Sequence, residues 1–329
     1  TIKSHVRNVT PQNLYVLSRK VISVLLVLVT TFSLLFATAC FSKEDSEAFS
    51  NLITTFSNSK KKLVVDDDDI VNEIGSEKDL FTALQDNLYM FSPYFYIRID
   101  SYDLFQEYWS DLYDSGALNS AFVIGDIKVE YNNESPCLMK MSFSYNSTGQ
   151  ILQALVNQST MTFSDADTQE LYSDATMILS SIIDPEMSTL EKELVIHDYL
   201  VLHSQYSTTG DSDVLATAYS VILNGEGQCQ GYSEAFVLLC ELEGIPARVI
   251  SGTALDQDGE YAPHAWNQVQ IDSVWYHVDV TWDDPIPDTE NYVSELYANR
   301  SDEIMKADHI WSPLFPTCYL DLPSSDVYE

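Results

Sequence analysis

Three residues in the C-terminal half of the chain have the chemistry of a nucleophile, a base and an orienting acid. Cys229 lies in Gly-Gln-Cys-Gln-Gly-Tyr, His264 in Pro-His-Ala-Trp-Asn, and Asp279 in Trp-Tyr-His-Val-Asp-Val-Thr-Trp-Asp-Asp-Pro. A thiolate attacks a carbonyl carbon, an imidazole accepts and returns the proton, and a carboxylate holds the imidazole in one tautomer. The three residues predict a cysteine-nucleophile site that works through a covalent acyl intermediate.

Cys229 is predicted to begin a buried helix. After Gly225 and Gly227, apolar residues recur at helical spacing until Gly244 and Pro246 end the pattern. These apolar residues are Tyr232, Ala235, Phe236, Leu239 and Leu242. The unpaired N–H groups and the dipole of a first helical turn favour a thiolate and could later hold an oxyanion. The alternative for Cys229 taken alone is a small core residue, the commonest role of a free cysteine.

His264 and Asp279 are predicted to meet on one face of a hairpin. Two segments of alternating character flank Asp272-Ser273, which is typical of a two-residue turn. The resulting register makes His264 and Asp279 diagonal neighbours, about 7–8 Å apart at the backbone. Asp283 is the diagonal neighbour on the other side of His264, so spacing alone leaves the choice of carboxylate open. A turn of odd length would place His264 and Asp279 on opposite faces.

The remaining histidines of this half are predicted to be structural. His197 lies on the apolar stripe of a helix that a Ser188–Glu191 capping box begins, so it is interpreted as a core histidine. His277 is predicted to line the cleft wall. Structural packing is the favoured interpretation of His309, and a functional role for it stays open.

The three blocks, in this order, resemble the transglutaminase-like superfamily, a papain-related group, and in particular its bacterial secreted members. The resemblance extends over roughly residues 185–312. It implies an α+β fold in which a helix-borne cysteine packs on an antiparallel sheet, with Cys229 as nucleophile, His264 as base and Asp279 as acid. Weaker candidates for substrate or oxyanion binding are Gln228, Trp266 and Asp283, and the alternative role for Gln228 is to cap the helix.

The activity that the resemblance implies is amide-bond chemistry through a thioester. Water would resolve the acyl-enzyme in a peptidase or amidase, and a lysine amine would resolve it in a transglutaminase. Hydrolysis is the commoner expectation for bacterial relatives. The alternative function is a non-enzymatic surface protein that uses the same fold to bind peptide or cell-wall glycan, and an activated Cys229 thiolate would discriminate between the two.

The first 75 residues are predicted to target the protein for secretion and to anchor it. Residues 1–40 combine early basic residues, an apolar run and small residues before Cys40, as in a secretory signal with a lipidated cysteine. An uncleaved membrane anchor is the alternative. Both place the body of the protein on the extracellular face of the cytoplasmic membrane or the cell surface. Residues 41–75 are predicted to be an acidic polar linker, because they lack any apolar period.

Two domains are predicted after the linker. Residues 76–160 are expected to form a small α+β domain, and residues 165–320 the transglutaminase-like domain. In the first of these, helices are predicted around residues 80–88 and 104–112, and strands at residues 94–99, 121–131 and 138–145. Its many tyrosines are interpreted as core or interface residues rather than as a ligand platform.

Composition limits the partners. The chain carries 50 acidic against 16 basic residues, for a net charge of −34. Such a surface repels nucleic acid and attracts cationic substrates, although solubility alone would account for the charge. A protein or peptide substrate is expected, with cell-wall peptide as one candidate, and membrane contact only through the N-terminal anchor. The five cysteines lack the paired spacing of a zinc site, so no metal and no cofactor are predicted.

Overall fold

The computed structural model describes residues 63, 65, 69–118, 121–124, 127–132, 134–255, 259–284 and 292–322, and the backbone of residues 55–58. The predicted signal, Cys40 and most of the predicted linker lie outside this described part. Within it, no helix has both the length and the apolar character that a membrane span requires. Residues 51–329 form one compact unit of mixed α+β structure.

The N-terminal part of this unit is a mixed five-stranded sheet with helices. In chain order the elements are β1 (Thr55–Asn58), β2 (Val71–Ile74), α1 (Glu77–Tyr89), β3 (Tyr94–Ile99), α2 (Tyr102–Asp114), β4 (Lys128–Tyr131), β5 (Cys137–Ser142) and α3 (Ser147–Val156). The strand order is β1-β4-β5-β3-β2. The outer pairs, β1 with β4 and β2 with β3, are parallel, whereas β5 is antiparallel to both of its neighbours.

Serine and asparagine side chains begin these helices. Ser76 and Ser101 accept hydrogen bonds from the backbone N–H groups of Asp79 and Leu104, three residues into α1 and α2. Each such cap satisfies a backbone donor that has no partner within the helix, and its loss typically costs about 1 kcal/mol. Both helices were predicted from apolar spacing, and both are confirmed.

One predicted strand of this region is too long. Residues 121–131 were predicted to form a single strand, but only Lys128–Tyr131 does so, and Val123 makes an isolated bridge with Tyr145. The sequence between these two segments contains Gly125 and Asp126, two residue types that are depleted in strands. The strand at residues 94–99 is confirmed with its predicted bounds.

Helices connect this sheet to the second one. They are α4 (Ala166–Ile182), α5 (Thr189–His203) and the short α6 (Ser212–Leu215), and a π-helical turn follows at Ser220–Asn224. The predicted capping box of α5 is confirmed, because Ser188 Oγ accepts from the backbone of Glu191 and the Glu191 carboxylate accepts from the backbone of Ser188. Two short parallel strands, β6 (Gln205–Tyr206) and β7 (Glu226–Gly227), lead to the predicted helix α7 (Cys229–Leu242).

A four-stranded antiparallel sheet packs against α7. Its strands are β8 (Ala247–Leu255), β9 (Tyr261–Ile271), β10 (Val274–Val278) and β11 (His309–Trp311), in the order β10-β9-β8-β11. The short helices α8 (Val280–Asp283) and α9 (Asp302–Met305) lie between β10 and β11. The resemblance implied a helix that packs on an antiparallel sheet, and α7 contacts both β8 and β9.

The predicted hairpin register is confirmed as far as Val278, but the second strand was predicted to run to residue 281 and instead ends at Val278, where Asp279 caps the short helix α8. Val274 pairs with Ile271, and Asp272 and Ser273 form the turn with φ angles of 49° and 67°. Positive φ at both central positions is the geometry of a type I′ turn, whose twist suits a two-residue hairpin. Because the loop has an even number of residues, β9 and β10 pair in the register that the sequence predicted.

Gly252 on β8 lets β11 approach closely. It pairs with His264 on β9, and a Cβ atom at this position would lie 2.2 Å from the backbone oxygen of Ile310 and 2.8 Å from the Trp266 ring. Real Cβ atoms do not tolerate such distances, so any larger residue would force the strand away. The position of β11 beside β8 depends on the absence of a side chain at Gly252.

Candidate active site

Cys229 stands at the first position of α7 and faces the sheet. Its side chain is hydrogen-bonded to His264 and also accepts from the backbone N–H of Ala265. His264 Nε2 lies 2.7 Å from Asp279 Oδ2, and this pair is almost completely buried. Because Nε2 faces the carboxylate, Nδ1 is the ring nitrogen that is left for the thiol. The structure thus brings the three predicted residues together in one hydrogen-bonded line.

The electrostatics of this line favour an ion pair. Burial raises the pKa of the Cys229 thiol, but the hydrogen bond and charge of His264 and the Ala265 N–H outweigh burial and leave that pKa below its ordinary value. Burial lowers the pKa of His264, whereas the charge and hydrogen bond of Asp279 raise it, and the raising effect prevails. The arrangement is suited to a thiolate beside an imidazolium.

Asp279 is stabilised in its ionised form, and both of its carboxylate oxygens accept hydrogen bonds. Burial would raise its pKa, but the charge of His264 and the hydrogen bonds of the two histidines that it contacts keep the pKa well below the ordinary range. Its other oxygen, Oδ1, accepts from the backbone N–H of Trp282 at 3.1 Å. An ionised, doubly anchored carboxylate can fix the tautomer of His264.

The weaker candidates for substrate or oxyanion binding, Gln228, Trp266 and Asp283, lie in three different places. Gln228 accepts from Ser212 Oγ at 3.0 Å and makes no side-chain cap to α7, so its predicted alternative role as a cap is wrong. Trp266 is fully buried, and its Nε1 donates to His277 Nδ1 at 3.0 Å. His277 is buried as well, so the prediction that it lines a cleft wall is wrong.

Asp283 lies away from His264 and serves a second histidine. Its Oδ2 is 3.1 Å from His197 Nε2, and its Oδ1 accepts from Ser294 Oγ at 2.9 Å. The choice that spacing left open is thereby resolved, because Asp279 rather than Asp283 contacts His264. His197 is fully buried as predicted; burial alone would lower its pKa, but hydrogen bonds to Asp198 and Asp283 raise it to about 10.

The sequence analysis favoured structural packing for His309 and left a functional role open, without predicting a contact with Asp279. His309 Nε2 lies 3.1 Å from Asp279 Oδ2, the same oxygen that His264 contacts. Its Nδ1 lies 2.6 Å from Asp308 Oδ1, and the Tyr297 hydroxyl donates to Asp308 Oδ2 at 2.7 Å. The sequence signal was the Asp308-His309 pair before a short apolar strand, but nothing local indicated that this strand would pair with β8.

The N-terminal part of the unit touches both elements that carry the site. Gln230, next to Cys229, donates to the backbone oxygen of Ala121, and Asn146 Nδ2 donates to the buried Glu234 of α7 at 3.1 Å. Gly116, with a φ of 67°, lies against the carbonyl of Ser251 on β8. Gly116, Ala121 and Asn146 therefore contact the cysteine-bearing helix and the strand that pairs with His264.

Two groups of side chains in the described residues have the composition of metal ligands. They are His264, Asp279 and His309, and His277, Asp302 and Cys318, each with ligand atoms within 4.8 Å of one another. In the second group, His277 Nδ1 accepts from Trp266, so the ring proton is on Nε2, which points at Asp302. Nε2 is then a donor and not a lone pair for a metal. Both groups are satisfied as hydrogen-bonded clusters.

Glu193 on α5 is expected to make the stability of this region depend on pH. It is fully buried, with Oε2 2.6 Å from Asn299 Nδ2, while its Oε1 and the Asn299 Oδ1 have no partner. Burial raises the pKa of Glu193 from 4.5 to about 7, against the lowering effect of His197. The native state thus keeps a proton that the unfolded state releases, so the free energy of unfolding falls as pH rises between these values.

Glu193→Gln is therefore expected to stabilise the protein above neutral pH. The glutamine amide can donate to Asn299 Oδ1 and carries no charge, so the gain should be about 1–3 kcal/mol at pH 8 and should vanish near pH 4.5. Urea unfolding across this pH range measures it. Glu186→Gln, at an exposed position of the loop before α5, is the control with no expected effect. A Glu193→Gln protein that is less stable at pH 8 would contradict the assignment.

The site lies within the part of the chain that matches a known family. A cysteine at the start of a helix, beside a histidine and a carboxylate, provides the groups that papain-type thiol chemistry uses. Residues 176–280 match the core model of the Transglutaminase-like superfamily, so this part of the chain is similar to that superfamily. The matched range includes Cys229, His264 and Asp279 but ends before His309.

Similar proteins include peptidases and a transglutaminase structure. The kyphoscoliosis peptidases of Homo sapiens and Mus musculus are each 24% identical over 123 residues, which cover 34% of this chain and 18% of theirs. The chain thus spans less than a fifth of the length of these curated relatives. A crystal structure of a TGase covers 71% of this chain and 65% of its own at 13% identity, with a TM-score of 0.34. The relationship to the peptidases is distant.

Proposed function

We propose that the chain is a cysteine hydrolase that cleaves amide bonds through a thioester, with Cys229 as nucleophile, His264 as general base and acid, and Asp279 as orienting carboxylate. The observation that carries the proposal is the hydrogen-bonded line from Cys229 through His264 to the buried Asp279. The superfamily match and the distant similarity to peptidases support the same chemistry.

The proposed reaction has two halves. The Cys229 thiolate attacks the amide carbonyl carbon, and the oxyanion is held by N–H groups of the first turn of α7. As the C–N bond breaks, His264 gives its proton to the leaving amine and the thioester remains on Cys229. Water, deprotonated by His264, then releases the acid and restores the thiol. An amine acceptor in place of water would give transglutamination instead.

The proposed substrate is a protein or peptide, with cell-wall peptide as a candidate. Similarity to peptidases supports a polypeptide substrate, and the net charge of −34 supports preference for a cationic one. Residues 1–40, with their apolar run before Cys40, support action at the outer surface of the membrane. Nucleic acid is not proposed as a partner.

The test is the rate of iodoacetamide alkylation of each cysteine against pH, read by peptide mass spectrometry. Cys229 is expected to react well below the ordinary thiol pKa of about 8.5, because His264 stabilises its thiolate. Buried Cys137, Cys240 and Cys318 are internal controls, since burial raises the pKa of each. His264→Ala should abolish the low-pH reaction.

The alkylation profile of Cys229 distinguishes an enzyme from a binding protein. Low-pH alkylation that His264→Ala removes would establish the ion pair and support enzymatic function. If Cys229 follows an ordinary thiol profile in both proteins, the hydrolase proposal fails and the peptide- or glycan-binding alternative replaces it. Hydrolysis and amine transfer are separated by incubating a glutamine peptide with a fluorescent primary amine, because only transfer incorporates the label.

A further inference from the structure

We propose that His309 is a positioning residue that fixes Asp279 and, through it, the imidazole of His264. The inference rests on the proposed function of Cys229. His309 lies outside the range that matches the superfamily core, which ends at residue 280. It belongs to β11, a three-residue strand at the edge of the antiparallel sheet.

The geometry makes Asp279 Oδ2 a shared acceptor. His264 Nε2 lies 2.7 Å from this oxygen and His309 Nε2 lies 3.1 Å from it, and the three side chains are buried. Since Oδ1 accepts from the backbone of Trp282, each carboxylate oxygen has a fixed donor. The carboxylate cannot turn away from His264 without breaking a hydrogen bond to His309 or to Trp282.

The second ring nitrogen of His309 is anchored in turn. Nδ1 lies 2.6 Å from Asp308 Oδ1, whose partner oxygen accepts from the Tyr297 hydroxyl. Both ring nitrogens thus face carboxylate oxygens, which accept and do not donate when ionised. His309 therefore links Asp279 to the Asp308–Tyr297 pair, so the position of its ring is fixed from both sides.

The surroundings of His309 hold it in this place. Its ring contacts Trp266, Trp282 and Tyr297 at centroid distances of 4.9, 4.5 and 5.5 Å. The titratable groups that face it from the packed elements are Asp279, Asp308, His264, His277 and Tyr297. These rings pack on three sides of the imidazole and restrict it to one orientation. A residue that positions another side chain must itself be held in place in this way.

The experiment compares the pH profile of Cys229 alkylation in the wild type, His309→Ala, His309→Gln and Asp308→Asn. Loss of the hold on Asp279 weakens its support of the His264 imidazolium and so destabilises the Cys229 thiolate, and alkylation of His309→Ala at pH 5.5 should fall about tenfold, equivalent to one pKa unit. His309→Gln keeps a hydrogen-bond donor toward Asp279 Oδ2, so its alkylation profile should shift less. Asp308→Asn weakens the anchor without touching Asp279 and should shift in the same direction.

His277→Gln is the matched control. His277 is an equally buried histidine of the same sheet that contacts Trp266 and Asp302 but not Asp279. It should lower the melting temperature and leave the alkylation profile unchanged, whereas His309 variants should move the profile. Wild-type profiles in His309→Gln, in Asp308→Asn and in any folded His309→Ala protein would overturn the inference. An ordinary thiol profile in the wild type would instead overturn the proposed function on which it rests.

Discussion

Replacing Asp279 by asparagine is expected to slow acyl-enzyme formation about 10³- to 10⁴-fold, the loss seen when a buried triad carboxylate is neutralised. The reason is that two histidines share the Asp279 carboxylate. Both His264 and His309 donate to its Oδ2, and an amide offers one acceptor oxygen and two competing donors. His264 would lose both its tautomer and the anion that stabilises its imidazolium.

The measurement is the rate of the p-nitrophenol burst when p-nitrophenyl acetate in excess reacts with the protein. Asp283→Asn is the control, because Asp283 is equally buried and equally bound to a histidine, yet its partner is His197. Asp283→Asn should lower stability and retain a burst close to that of the wild type. A burst in Asp279→Asn within tenfold of the wild-type rate would contradict the assigned role.

Replacing Trp266 by alanine is expected to lower the free energy of unfolding by about 3–5 kcal/mol, the usual cost of deleting a fully buried aromatic ring. Trp266 is completely buried and its ring lies against His309 and Trp311. Its Nε1 also supplies the hydrogen bond to His277 Nδ1. The change removes packing beneath the site and leaves a buried acceptor without a partner.

Trp266→Phe separates these two effects. It keeps much of the ring but removes the donor, so it should cost about 1–3 kcal/mol through the unsatisfied His277. Urea unfolding followed by circular dichroism measures both variants. Equal losses in Trp266→Phe and Trp266→Ala would show that the hydrogen bond dominates, and a loss below about 1 kcal/mol in Trp266→Ala would contradict the buried position.

Local patterns predicted the parts of the site that depend on local structure. The start of α7 at Cys229 follows from glycine punctuation and apolar spacing, and the capping box of α5 follows from Ser188 and Glu191. The pairing of β9 with β10 follows from a two-residue turn whose even length fixes the phase of both strands. Proximity of His264 and Asp279 could therefore be predicted from the sequence.

Contacts between distant segments could not be predicted in this way. His309 reaches Asp279 because β11 pairs with β8, more than fifty residues earlier, and no periodicity encodes that pairing. The role of Asp283 required the position of α5, which carries His197. The order of the N-terminal sheet, with parallel outer pairs and antiparallel inner ones, likewise depends on packing between remote strands.

Gly252 shows how a residue without a side chain can bear on the chemistry. Its bare backbone allows the carbonyl of Ile310 to approach β8, and Ile310 is the neighbour of His309. A single added methyl group would widen the gap between two strands rather than remove any polar atom. It would thereby increase the distance between His309 and Asp279. The spacing of β8 and β11 therefore determines how firmly His309 holds the Asp279 carboxylate.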